Sequence, residues 1–334
     1  MESYKSASYQ YNVVCEFLFD DNLYLYGPGY DNYDFNDTIE DVIQKAPFNP
    51  EIIILGHAWL NDTDGHEVDP HPFLQLDKTN IFKVVFFNKE YTNLEQKIKY
   101  IKQNKFNIGF SHHHDLNLFK KTDTNFIFSP FAYDDTQFKF SLEKKTYDIG
   151  FSGILQNLNK NAMQSDIRVK IMNLFFKTII DVPIFKKTLF KDVNIFWNSI
   201  SRTEIGRYLS VLLKKRKYLD SNSYSSLIQD SKIFINTLSP MGLISPRFFE
   251  CMGSGALVFC QESKIYKNIF PDDIYVTFKE DLSDFTDTLF YYLDNDDARK
   301  KIVKKAYDFV SKNHTWKARI KNIKEEIKKN VWNF

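Results

Sequence analysis

The chain has 334 residues, enough for two α/β domains of ordinary size, and its 43% hydrophobic and 16% aromatic content can fill their cores. With 44 basic against 43 acidic residues the net charge is +1, so the balance carries no nucleic-acid footprint. Three cysteines without metal-ligand spacing argue against a disulfide framework, and neither a signal-peptide pattern nor an apolar run of about 18 residues is present. A cytoplasmic protein is expected, with no nucleic-acid partner, no metal site, and peripheral membrane contact left open.

Short apolar strands alternate with amphipathic helices throughout, a pattern that predicts an α/β fold with parallel sheets. In the first half, strands are expected at Leu23–Tyr26, Ile52–Leu55, Lys83–Phe87, Ile108–Ser111 and Asn125–Ser129. Helices are expected at Tyr9–Phe19, Thr38–Lys45 and Asn93–Asn104. The chain thus opens on a helix, where a Rossmann-like domain normally opens on a strand. Tyr133–Thr146 is polar, without a clear period, and reads as a linker. A second series starts at Tyr147–Phe151 and continues through a helix at Ser165–Ile179 and strands at Val182–Phe185 and Val193–Trp197. Helices follow at Thr203–Leu213 and Tyr224–Gln229, then a strand at Ile233–Thr237. Beyond the next helix, strands at Ala256–Phe259 and Ile274–Phe278 precede helices at Leu282–Leu293, Asp297–Lys312 and Thr315–Val331. The expected division is 1–140, 147–312 and a returning C-terminal helix at 313–334. The basic run Lys214, Lys215, Arg216, Lys217 reads first as a solvated helix end, second as a contact for phosphate or a lipid head group.

The segment Ser245–Cys260, SPRFFECMGSGALVFC, is the most informative. A helix whose first turn carries Ser, Pro and Arg offers free backbone N–H groups and positive charge to an anion such as a diphosphate. Spacing of three places Arg247 and Glu250 on one face. A cation for phosphate beside a carboxylate for sugar hydroxyls suits a nucleotide-sugar, while a plain surface ion pair is the bland alternative.

This segment resembles the donor motif of GT-B glycosyltransferases, nearest the branch called CgeB-like or glycosyl transferases group 1. Tyr147–Gly153 (YDIGFSG), Ser231–Pro240 (SKIFINTLSP) and His314–Ile320 (HTWKARI) are similar to other elements of that C-terminal domain. The resemblance implies two Rossmann-like domains facing a central cleft. It also implies transfer of a sugar from a nucleotide-diphosphate sugar to an acceptor hydroxyl on a glycan, a lipid-linked sugar or a small molecule. No cofactor or divalent metal is required; the nucleotide-sugar is a co-substrate. Glu250 would then accept from the ribose hydroxyls, and Arg247 would meet the diphosphate. Ser245 would donate to the phosphates or cap the helix. Gly153 would let backbone approach a phosphate. Lys187 and Arg202 are further diphosphate candidates, Tyr218 a base-flanking candidate, and Asn236 a residue at the cleft end of its strand. The first of the two glutamates usual in the large retaining branch would fall at Gly242 and is absent, which leaves the stereochemical outcome open. It also keeps alive a non-catalytic protein with a degenerate donor site. Another two-domain enzyme, such as a sugar-nucleotide epimerase, is a further rival.

The first half contributes the cluster FSHHHD, Phe110–Asp115. A structural corner or an acceptor-binding role comes first, proton transfer by a His112–Asp115 pair second, with His57 as reserve, and zinc third. Asn61–Pro72 reads as a polar loop.

Overall fold

A computed structural model describes residues 13–14, 16–17, 22–27, 30–56, 73–87, 93–155, 167–201, 203–215, 219–238 and 242–332. The chain divides into two units. Met1–Ala132 and His314–Phe334 form the first, and Tyr133–Asn313 forms the second.

The first unit is built on a parallel sheet in which β1 (Ile52–Leu55), β2 (Phe82–Phe87), β3 (Ile108–Ser111) and β4 (Asn125–Phe128) lie side by side in that order. Ile52 pairs with Phe82, Val84 with Ile108, and Ile108 with Asn125. Every residue of β2 is buried, as expected of a central parallel strand covered on both faces. Even Lys83 is inside, where its ammonium donates to the carbonyls of Leu76 at 3.0 Å and Thr79 at 2.9 Å. Helix α1 (Ile39–Lys45) starts from a reciprocal capping box between Thr38 and Asp41. With α2 (Leu94–Asn104) it covers a core of Val85, Phe87, Ile101, Phe119 and Phe126. Phe119 and Phe126 stack at 3.9 Å.

Leu23–Tyr26, expected as a strand, joins no ladder among the described residues. Its side chains are committed elsewhere: the Tyr26 hydroxyl donates to Asp37 Oδ2 at 2.7 Å, tying this stretch to the entry of α1. Of the helix expected at Tyr9–Phe19, residues 13–14 and 16–17 are described, and they are helical.

The second unit carries β5 (Tyr147–Ile154), β6 (Phe176–Ile179), β7 (Val182–Lys186), β8 (Ile195–Ile200), β9 (Ser231–Asn236), β10 (Leu257–Gln261) and β11 (Val276–Phe278). Five of these form a parallel sheet in the order β11-β10-β9-β5-β8. The chain passes from β5 to a neighbour on one side, β8, and then to β9 on the other. The end of β5 is therefore the topological switch point, where open α/β sheets bind ligands. Helices α3 (Ile167–Phe175), α4 (Glu204–Leu212), α5 (Ser221–Gln229), α6 (Pro246–Ser254), α7 (Phe285–Asp294) and α8 (Asp296–Asn313) belong to this unit; α9 (Trp316–Val331) belongs to the first.

Two expectations are corrected here. The helix expected to run to Ile179 stops at Phe175, and β6 and β7 form an antiparallel hairpin separate from the parallel sheet. The aromatic and β-branched run Phe176–Ile179 favours strand, and Ile180 and Asp181 turn with φ of 45° and 61°, as a tight hairpin requires. The segment expected as a polar linker is packed instead. Tyr133 and Phe138 are buried, and Phe140 stacks on Tyr307 at 4.0 Å.

That packing fixes α6. The ring of Tyr133 lies where a side chain at Gly253 would go. Gly255 closes the helix at φ +79°, and a Cβ there would stand 2.5 Å from the Ser141 carbonyl. Gly255→Ala should therefore lower stability by about 2–4 kcal/mol, combining a left-handed backbone with overpacking. Gly56, with nothing within 4 Å, should accept Ala within about 0.5 kcal/mol. Urea unfolding of the two variants compares them directly.

Candidate functional site

The second unit gathers a polar cluster at the switch-point end of β5. Helix α6 begins at Pro246, whose missing N–H costs nothing at that position. Ser245 precedes it with extended backbone, and its hydroxyl makes no cap bond to the helix. Ser245 thus occupies the N-cap position expected of it, but the first turn keeps its N–H groups without a side-chain acceptor from Ser245. One turn in, Arg247 and Glu250 share a face.

They meet through a third residue. The Tyr224 hydroxyl, carried by α5, donates to Glu250 Oε2 at 2.8 Å and accepts from Arg247 Nε at 3.3 Å. Tyr224 is placed by the Asp220 cap, whose Oδ1 accepts the Ser223 N–H at 2.7 Å, and by an edge-on contact with Phe138 at 6.1 Å. Glu250 is half-buried, and loss of water around its carboxyl pushes it up to about 7 despite the opposing pull of Tyr224 and Arg247. The Tyr224 phenol is held neutral, well above its ordinary range, chiefly by burial and then by the Glu250 charge.

A second cation joins from α3. A Cβ at Gly153 would lie 3.6 Å from Nη1 of Arg247 and 3.7 Å from Nη1 of Arg168. Arg168 is held in place by Thr237, whose Oγ1 accepts from Nε at 2.6 Å, and by the Ile154 carbonyl. Two guanidinium groups therefore converge on the backbone near the end of β5, next to a carboxyl and a phenol. Such an arrangement suits an oxygen-rich dianion with hydroxyl groups nearby.

Of the residues expected here, the structure brings together Gly153, Arg247 and Glu250, with Ser245 at the head of the same helix. Asn236 ends β9 fully inside; its amide reaches Cys251 Sγ on α6 at 3.8 Å, so it packs the helix onto the sheet. Lys187 is exposed after β7, and its N–H donates to the Phe175 carbonyl at 2.8 Å, with no contact to the cluster. Arg202, Tyr218 and His57, with the whole of the Asn61–Pro72 segment, lie outside the described residues. Arg168 and Tyr224 were missed, whereas Thr237, expected with Asn236 at the cleft end of its strand, holds Arg168 there. Arg168 sits one position inside α3, and only the fold reveals that this helix starts beside the end of β5. Gly242, where a first glutamate would fall, has φ +75°, a conformation that resists any residue with a Cβ.

In the first unit the expected His112–Asp115 pair does not form. His112 Nδ1 donates to the Ser129 carbonyl at 2.7 Å, and its ring stacks on Phe131 at 3.8 Å. Burial, followed by the Arg319 charge, takes this imidazole down to about 4, which leaves it neutral at pH 7 and a weak base. Asp115 instead caps the following turn through the Asn117 N–H at 3.1 Å. Chain geometry explains the miss. The backbone turns after β3, so His113 and His114 stack on each other at 4.8 Å and the Asp115 charge acts on His114. Among the described residues, no three of His, Cys, Asp and Glu converge as a metal site. His314 binds Arg319 at 2.6 Å near the start of α9.

A family model described as glycosyl transferase-like matches residues 191–325. No curated protein matches the sequence. Among solved structures, a glycosyltransferase from Rickettsia africae is similar at 15% identity over 89% of this chain and 80% of its own, with a TM-score of 0.58. Sucrose-phosphate synthase from Thermosynechococcus elongatus is similar at 8% identity over 88% and 77%, with a TM-score of 0.58. Anabaena HepE, in complex with UDP-glucose, is similar at 10% identity over 89% and 82%, with a TM-score of 0.56.

The state of Glu250 is measurable without any ligand. Its carboxyl should titrate near pH 7 by carbon NMR, and Tyr224→Phe should move the midpoint higher by removing the bond that stabilises the charge. Because the folded value lies above the ordinary glutamate value of 4.5, the folded state holds this proton more tightly. The contribution to stability is present below pH 4.5 and is lost as pH rises through about 7. Glu250→Gln should flatten that slope relative to wild type in paired denaturation series.

Proposed function

The chain has the GT-B fold and carries a glycosyl transferase-like domain over residues 191–325, and from that premise we propose that it transfers a sugar from a nucleotide-diphosphate sugar to an acceptor hydroxyl. The observation that carries this reading is the convergence of Arg168 and Arg247 on Gly153 beside the Tyr224–Glu250 pair. Each guanidinium is a planar fork whose geometry matches phosphate oxygens, with Nε of Arg168 anchored to Thr237 and Nε of Arg247 to Tyr224. They would hold the donor diphosphate and stabilise the charge that develops on it as the glycosidic bond breaks. That charge supply supports a reaction without a divalent metal.

Glu250 takes the ribose. Its ionised carboxylate accepts from two neighbouring hydroxyls, and Tyr224 holds it at the required angle. Donor affinity should consequently rise with pH through about 7 as Glu250 ionises. A UDP-sugar is the first donor to test, since HepE was solved with UDP-glucose. The acceptor is proposed to be a glycan, a lipid-linked sugar or a small hydroxyl compound.

Calorimetry with UDP-glucose, UDP-N-acetylglucosamine and their GDP and CDP counterparts tests the reading. Glu250→Ala should weaken the preferred donor about 10–100-fold, the equivalent of one charge-assisted hydrogen bond or more. Undiminished affinity would remove Glu250 from the site. Arg168→Ala and Arg247→Ala should each weaken the nucleoside diphosphate about tenfold or more while leaving the free nucleoside unchanged. Release of nucleoside diphosphate in the presence of acceptor, lost in Arg247→Ala, would establish transfer. Donor binding without any such release would fit a degenerate donor site, the reading that Gly242 in place of a glutamate favours.

A further inference from the structure

Helix α4 is inside out. Its buried face carries the small residues Gly206 and Ser210, and Ser210 Oγ donates to the Gly206 carbonyl at 2.7 Å. A Cβ at Gly206 would lie 2.5 Å from the Ile180 carbonyl, so this small face packs against the β6–β7 turn. Tyr208 lies about 200° around the helix from Gly206. It stands with Ile205, Val211 and Leu212 at 63–69% exposure. A surface helix of a globular protein normally turns its apolar stripe inward. Here that stripe faces out, and Ile180, in the turn that packs on the Gly206 face, is a further exposed apolar side chain, at a positive φ where Asn or Gly is easier.

Basic residues border the stripe along one flank and at its C-terminal end, while the exposed Glu204 interrupts it one turn before Tyr208. Arg207 flanks it, and Lys214 and Lys215 stand exposed at its C-terminal end. Lys214 leaves the helix at φ 52°, and the Lys215 N–H closes back onto the Ser210 carbonyl at 2.8 Å. Arg216 and Lys217 continue the run in sequence. Glu204 is the single acid of α4. Among the described residues, no carboxylate pairs with Lys214 or Lys215.

We propose that α4 and the adjoining β6–β7 turn form a surface that docks on an anionic lipid bilayer, with Ile205, Tyr208, Val211 and Leu212 entering the headgroup–acyl boundary and the basic end meeting lipid phosphates. An exposed apolar stripe bordered by Lys and Arg is the pattern of an interfacial helix, and Tyr is at home at that depth. A second copy of the chain fits less well. Two-fold self-contact would set this basic surface against itself, whereas an anionic bilayer neutralises it while accepting the apolar side chains. No helix among the described residues is long and apolar enough to cross a membrane, so the contact is peripheral. The surface is independent of the donor cluster, and its test needs no sugar.

Sedimentation with vesicles decides. Wild-type protein should co-sediment with phosphatidylcholine vesicles containing about one-third phosphatidylglycerol, far less with phosphatidylcholine alone, and less as salt rises. Val211→Asp/Leu212→Asp and Arg207→Glu/Lys215→Glu should each reduce the bound fraction about tenfold, with melting temperatures unchanged because the positions are exposed. The proposal is overturned by wild-type protein that ignores anionic vesicles, by binding that is insensitive to salt, or by binding that both double variants retain. It is equally overturned if the wild type forms a dimer in analytical ultracentrifugation that Val211→Asp/Leu212→Asp dissociates, with no vesicle binding. Salt dependence is read on the wild type, so the test survives a variant that folds poorly.

Discussion

One phenol organises the charges at the head of α6. Tyr224 stands between a guanidinium and a carboxyl that share a helix face, accepting from the first and donating to the second. Without it, Arg247 and Glu250 would be free to close on each other as an i, i+3 pair, a contact worth a few tenths of a kcal/mol on an exposed helix. With it, the two groups are held apart in a partly dehydrated setting, the guanidinium toward the end of β5 and the carboxyl poised between its two protonation states. Electrostatic preorganisation of this kind is effective because the groups do not need to move when a charged ligand arrives.

The bridge depends on the placement of α6, and close backbone packing provides that. Tyr133 fills the space left by Gly253, the Ser141 carbonyl sits against Gly255, and Asn236 reaches Cys251 from the sheet. Each contact is a steric or polar constraint that tolerates little displacement. The segment before β5 therefore does more than connect. Its aromatic residues set the position of the helix that carries Arg247 and Glu250, and Phe138 also touches the Tyr224 ring. Burial of Cys251 and Cys260 keeps both thiols protonated, pushed well above the usual thiol range, so neither offers a nucleophile.

The first unit shows the opposite use of polar groups. His112 Nδ1 is engaged by a carbonyl and its ring by an aromatic face, and Asp115 caps the backbone that follows it. Helix α4 differs again. Its apolar groups stay outside because the side that meets the protein admits only Gly206 and Ser210.

Local pattern was enough to identify the strands Ile52–Leu55 and Ile108–Ser111, the helix that begins at Pro246, and the placement of Arg247 and Glu250 on one of its faces, because periodicity and capping act over a few neighbouring residues. The alternation of strands and helices likewise determined the parallel α/β architecture. Everything that depends on residues distant in the chain was decided by tertiary structure. Arg168 and Tyr224 reach the cluster from helices that start about 80 and about 25 residues before α6, and no spacing rule links them to it. The hairpin at Phe176–Lys186 and the inverted face of α4 were invisible for the same reason. A sequence records which side chains are apolar or charged, whereas the side of an element that meets the core is set by what the rest of the chain packs against it.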